Sequence, residues 1–189
     1  MKITVLNAVL VGNWNYKVFN AKWVETNLFS YKGNQPINGL VNLDDMEFGY
    51  EYDDLVLIVK TAAIELRLKD PNNLDNIERI AEVSNKIQSL LSHTPIKGIG
   101  FNIKYLLDGN DDSDFIKIMK TKGFALSDLE LSQIRLSKKS EVHSTNITFE
   151  YLNGAIKSIA FNFHYPKPII FDNTVIANHL KFAELKLRS

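Results

Sequence analysis

Cysteine is absent from the 189-residue sequence, which removes disulfide frameworks, thiolate zinc sites, iron–sulfur clusters and cysteine nucleophiles together. An excess of one charge is absent too: 22 Lys+Arg stand against 22 Asp+Glu, for a formal net charge of +0. A constitutive nucleic-acid binder carries a basic excess that displaces counterions from phosphate, so nucleic acid is not an expected partner. No run of about 18 consecutive apolar residues occurs, so neither a membrane span nor a membrane partner is expected. The apolar start, Ile3 to Gly12, is interrupted by Asn7 and lacks a small-residue cleavage pattern, so it reads as a strand and not as a signal peptide. The default compartment for such a chain is the cytoplasm.

Motifs that carry chemistry are equally scarce. The histidines His93, His143, His164 and His179 form neither H-E-x-x-H nor H-x-x-x-H, so a metal site would need separate elements to converge. The pair to consider is His143 with His164, whose relation depends on the register of one hairpin. His93 falls at a helix C-terminus, where the dipole favours imidazolium, and His179 falls in the last helix as a surface or edge residue. An EF-hand loop starting at Asp108 would place Ser113 where glycine is required and Met119 where glutamate is required. The segment reads instead as a turn capping a short helix. Gly98-Ile99-Gly100 lacks the third glycine of a dinucleotide fingerprint, and neither G-x-S-x-G nor S-x-x-K is present. No cofactor, metal ligand or catalytic residue is therefore assigned.

What the sequence does have is β periodicity. Residues 2 to 11 carry apolar side chains on both parities, as a strand buried on both faces does. Phe19, Ala21 and Trp23 alternate with polar neighbours, which favours a strand over 16–29. Residues 31–54 read as loop, with a short strand near Glu47 to Tyr52. Alternation over 55–69 predicts one long strand, or two with a bend. From Leu74 to Leu91 apolar residues recur at helical spacing until Thr94-Pro95 stops them.

Ile99, Phe101, Ile103 and Tyr105 then form one strand face, opposite Gly98 and Gly100, over which a helix is expected to pack. A short helix places Phe115, Ile118 and Met119 together. Residues 124–138 read as a strand with a bulge near Ser132-Gln133. Asn153-Gly154 marks a hairpin. A three-residue loop groups its faces best, setting Ile147 against Ile159 and Thr145 against Phe161, with His143 and His164 on opposite faces. Ile176, Leu180, Ala183 and Leu187 predict a terminal helix.

The expected fold class is α+β: a mostly antiparallel sheet with about three helices packed mainly on one face, in a single domain over 1–189. Long strands leave backbone edges to cover, which favours a homo-oligomer. Asp44, Asp45, Glu47, Asp53 and Asp54, interleaved with Phe48, Tyr50 and Tyr52, make an acidic, aromatic segment suited to contact a basic protein partner. The expected function is thus a non-enzymatic protein-binding module, adaptor or chaperone-like, using that segment or a sheet edge. The alternative is a small hydrolase-type enzyme that uses the acidic residues with or without a divalent metal.

Overall fold

A computed structural model describes residues 1–29, 36–42, 47–108, 113–121, 131–153 and 155–188. The strands, in chain order, are β1 (Lys2–Gly12), β2 (Asn38–Asn42), β3 (Glu47–Tyr52), β4 (Leu55–Val59), β5 (Ala63–Leu68), β6 (Ile96–Leu106), β7 (Gln133–Lys139), β8 (Ser144–Leu152) and β9 (Ala155–Tyr165). The helices are α1 (Ala21–Asn27), α2 (Glu78–Leu90), α3 (Asp114–Thr121) and α4 (Asn173–Arg188). All nine strands form one sheet in the order β2-β3-β4-β5-β1-β6-β9-β8-β7, every neighbouring pair antiparallel. The α+β expectation holds, with four α-helices among the described residues where about three were expected.

The alternation of apolar residues builds this sheet. Leu6, Ala8 and Leu10 of β1 share a face with Ile64 and Leu66 of β5 and with Ile99, Phe101 and Ile103 of β6, and all are fully or almost fully buried. Ile159, Phe161 and Phe163 of β9 and Phe149 of β8 continue the same buried row of layers. Phe115 of α3 contacts Phe149, while His179 and Phe182 of α4 contact Phe163. Helix α2 contacts β1 and β5. Its Asn85 and Gln88 hold the backbone of Phe171 and Ile169, which sets the path of the chain into α4.

The other parity carries a polar ladder. Ser137, Asn146, Asn162, Asn102 and Asn7 stand side by side on β7, β8, β9, β6 and β1. Each donates to the next: Ser137 Oγ to Asn146 Oδ1 at 2.7 Å, Asn146 to Asn162 at 3.0 Å, Asn162 to Asn102 at 2.6 Å and Asn102 to Asn7 at 2.7 Å. Asn7 closes the chain on the Glu65 carboxylate of β5 at 2.7 Å. Every amide dipole points the same way and ends on an anion, so each bond polarises the next.

Several local expectations are corrected. Residues 16–29 are not a strand. Asn20 accepts from the Trp23 backbone N–H at 3.0 Å and caps α1, which buries Val24; a good N-cap outweighs alternation in so short a segment. The stretch 55–69 takes the second of its two expected forms, two strands, β4 and β5, which pair with each other with Leu57 opposite Leu66. In α3 it is Ile116 that is buried beside Met119, while Ile118 is 51% exposed.

The β8–β9 hairpin closes at Leu152 opposite Ala155 and shifts register at Glu150/Tyr151, which sets Ile147 against Phe161 and Thr145 against Phe163. From Ser144 to Glu150 the expected faces are kept, but every partner lies two residues from its expected place, because the bulge sits in the strand and not at the turn. At Gly98 the neighbouring strand claims the space: a Cβ there would lie 2.8 Å from the Tyr165 carbonyl and 2.9 Å from His164 Cε1. Of the strand expected over 124–138, the described part begins at Gln133 and pairs with β8 in unbroken register, and Tyr151 N–H donates to the Ser132 carbonyl at 2.9 Å, so the bulge expected near Ser132-Gln133 is not there; residues 122–130 lie outside the described residues.

Candidate functional site

The two ends of the sheet differ in chemistry. At one end, β7 carries Arg135, Lys138 and Lys139, the charges that discourage another strand from pairing there. At the other end, β2 reads Asn-Gly-Leu-Val-Asn and carries no charge. Among the described residues no strand pairs with its outer side.

A groove lies against this edge. Val41 of β2 stands opposite Phe48 of β3, which stands opposite Val59 of β4. This is one apolar row of the core running outward: Val59 is fully buried, Phe48 half-buried and Val41 73% exposed. Tyr16, 50% exposed, meets the Phe48 ring edge-on with centroids 6.1 Å apart. Together with the turn residues Lys60 and Thr61 they bound a cavity of about 350 Å³. Trp14 N–H donates to the Thr61 carbonyl at 2.9 Å, fixing that turn beside the end of β1. Lys60 and Glu47 form an ion pair at the rim, so the rim has both charges and no net one.

The acidic, aromatic segment singled out from the sequence is divided by the fold. Asp44 and Asp45 lie outside the described residues. Glu47 pairs with Lys60, and Glu51 with Lys69 at 3.1 Å. Asp53 and Asp54 both bind Arg79 of α2, Asp53 at 2.9 Å. The aromatic residues turn toward the core. Tyr50 donates its hydroxyl to the Phe19 carbonyl at 2.7 Å, and burial raises its pKa above the ordinary phenol value. Tyr52 is buried and stacks on Phe29 with centroids 5.1 Å apart, while the Arg79 guanidinium sits over its other surroundings at 5.6 Å from the ring centre. Of the described residues of that segment, only Glu47 and Phe48 reach the groove.

Tyr16, Val41, Val59, Lys60 and Thr61 were not legible as site residues. A short uncharged segment around Leu40-Val41 was the available signal, but whether such a strand is central or terminal depends on pairing and not on local sequence. Among the described residues, no three His, Asp or Glu side chains converge to hold a metal ion, and no helix is long and apolar enough to cross a membrane. His143 and His164 do lie on opposite faces, whereas His179 is buried at 6% exposure and is not a surface residue.

The chain matches no protein-family model, and no curated protein is significantly similar to it.

Proposed function

We propose that the protein is a non-enzymatic protein-binding module that takes an extended segment of a protein partner alongside β2. The observation that carries this reading is Val41: it ends a continuous apolar row on an uncharged terminal strand and is 73% exposed. Adding a strand to such an edge satisfies backbone groups and lets alternate side chains enter a neighbouring pocket, here the groove at Phe48 and Tyr16. Covering Val41 contributes about 1–2 kcal/mol of the binding energy. Glu47 offers the acidic contact at the rim for a basic partner residue.

We also infer that the four helices share one face of the sheet. Phe149, Phe163 and Tyr52, which share a parity, contact Phe115, His179 and Phe29 from the helical side. In that arrangement the row through Val59 is closed everywhere except at β2. A second copy of the chain meets the same requirement, since β2 against β2 about a two-fold axis continues the sheet.

Val41→Lys places a charge on the edge without disturbing the core, and its test is comparative. The wild type and the variant are immobilised, their bound partners are compared, and both are sedimented over a range of concentration. The variant is expected to lose the partner, or to lose self-association if the partner is a second copy, while its melting temperature stays the same. Identical capture and identical sedimentation would remove β2 from consideration.

A further inference from the structure

At the opposite end of the sheet a second cavity, of about 400 Å³, lies between the β7–β8 turn, the end of β9 and helix α4. Its floor is a cross-strand row, Lys138 opposite Thr145 opposite Phe163. Its roof is one stripe of α4: Val175, Asn178, His179 and Phe182 recur at three- and four-residue spacing and all line the space. His143 closes one side, its turn held by Ser140 Oγ, which donates to the His143 carbonyl at 2.8 Å and accepts from its backbone N–H at 3.1 Å.

The walls are rings. His179 stacks on Phe163 with centroids 3.8 Å apart and planes 15° from parallel, Phe182 meets Phe163 edge-on, and His143 lies 5.1 Å from the Tyr165 ring. The Tyr165 hydroxyl lies 2.7 Å from His179 Nε2, so these two polar atoms satisfy each other inside the wall.

The remaining polar groups are uncommitted. No hydrogen bond or ion pair ties the Lys138 ammonium, the Thr145 hydroxyl or the Asn178 amide to another described residue. Thr145 is a buried residue of the cavity floor. Among the described residues no carboxylate lines the cavity, and Lys138 is the one lining side chain of fixed charge. Flat apolar walls with a few convergent polar groups and a volume in the roughly 300–1,000 Å³ range are the attributes of a small-molecule site. Rings favour an aromatic guest by offset or edge-on stacking. A lysine without a partner among the described residues, together with hydroxyl and amide donors, favours an anion.

We propose that this cavity is a binding site for a small aryl carboxylate, the ring lying among Phe163, Tyr165 and Phe182 and the carboxylate reaching Lys138 and Thr145. The site is independent of the β2 edge: it lies at the far end of the sheet and uses none of the same residues. Burial keeps His179 neutral at physiological pH, so it serves as a stacking surface and adds no charge.

The probe is 3-phenylpropionate, with 3-phenylpropionamide as its uncharged counterpart, titrated into the whole chain while the imidazole resonances of His143 and His179 are followed by NMR. The acid is expected to shift both imidazoles in a saturable manner and to bind more tightly than the amide. Lys138→Glu, on the exposed rim, is expected to weaken the acid roughly tenfold and leave the amide unchanged. Asn178→Trp, which fills the mouth from an exposed helix position, is expected to abolish binding of both. Absence of any imidazole shift, equal affinity for acid and amide, or unchanged acid binding by Lys138→Glu each overturns the proposal. A melting temperature measured on each variant separates loss of the site from loss of the fold.

Discussion

Asn162 Nδ2 donates to Asn102 Oδ1 at 2.6 Å, and the two residues sit directly opposite each other on β9 and β6. That bond is the middle of a ladder from Ser137 to Glu65 that crosses six adjacent strands. A slip of one residue in any pairing would move an asparagine to the apolar face, so the ladder opposes register errors as well as adding bonds.

Replacing Asn102 with leucine leaves the Asn162 donor and the Asn7 acceptor without partners. Asn7 is only 8% exposed, so water replaces the lost bonds poorly, and a loss of about 1–2 kcal/mol is expected in urea unfolding. Unchanged stability would mean that the ladder contributes nothing beyond hydration.

The acid limb of the stability curve reports on His179. Burial, followed by the neighbouring charge of His143, lowers its pKa from 6.5 to about 4. Between those values the unfolded chain holds a proton on this ring and the native chain does not, so stability falls as pH drops from 6.5 toward 4 and levels off below. Among the described residues, Tyr165, His143 and Lys138 are the other titratable groups around the ring. Because carboxylates titrate in the same window, the readout is the difference from His179→Gln, which is expected to show a shallower acid limb. Parallel curves would refute a buried neutral imidazole.

Arg79 joins α2 to the β3–β4 turn by binding both Asp53 and Asp54 and lying near the Tyr52 ring. Arg79→Ala is expected to cost about 1 kcal/mol, since the pairs are partly exposed and the ring contact adds to them. Most of that loss is expected to disappear in molar salt only if the ion pairs, and not the ring contact, dominate; a thermal melt at two salt concentrations decides.

Asp53 and Asn153 are the two non-glycine residues at positive φ among those described, at 56° and 51°. Each begins a two-residue connection, between Tyr52 and Leu55 and between Leu152 and Ala155, where that backbone matches the twist of the strands. Asn153→Ala is expected to cost roughly 1 kcal/mol, whereas Asn153→Gly is expected to be neutral or slightly stabilising. A chemical-denaturation comparison in which alanine is tolerated as well as glycine would contradict the strain argument.

The legible part of the site was Glu47 and Phe48, and the legible part of the fold was alternation. Phe101, Ile103, Phe161 and Phe163 declare their buried face by period two alone, and helix α2 declares itself by its spacing and stop. The acidic cluster looked continuous along the chain, but pairing with β4 sends Phe48, Tyr50 and Tyr52 inward and brings Lys60, Lys69 and Arg79 to the acids from other elements.

Local sequence thus determined which residues could be buried, which segments could be strands, and that no thiol or membrane-spanning helix was in play. Tertiary structure alone decided that the Asn38–Asn42 strand ends the sheet among the described residues, that five polar residues, each 9 to 95 positions from the next, line up in one ladder, and that His143, Tyr165 and His179 meet. The reason is physical: periodicity is a property of neighbours in the chain, whereas edges, registers and cavities arise from pairings between distant segments, whose free energy no single segment carries.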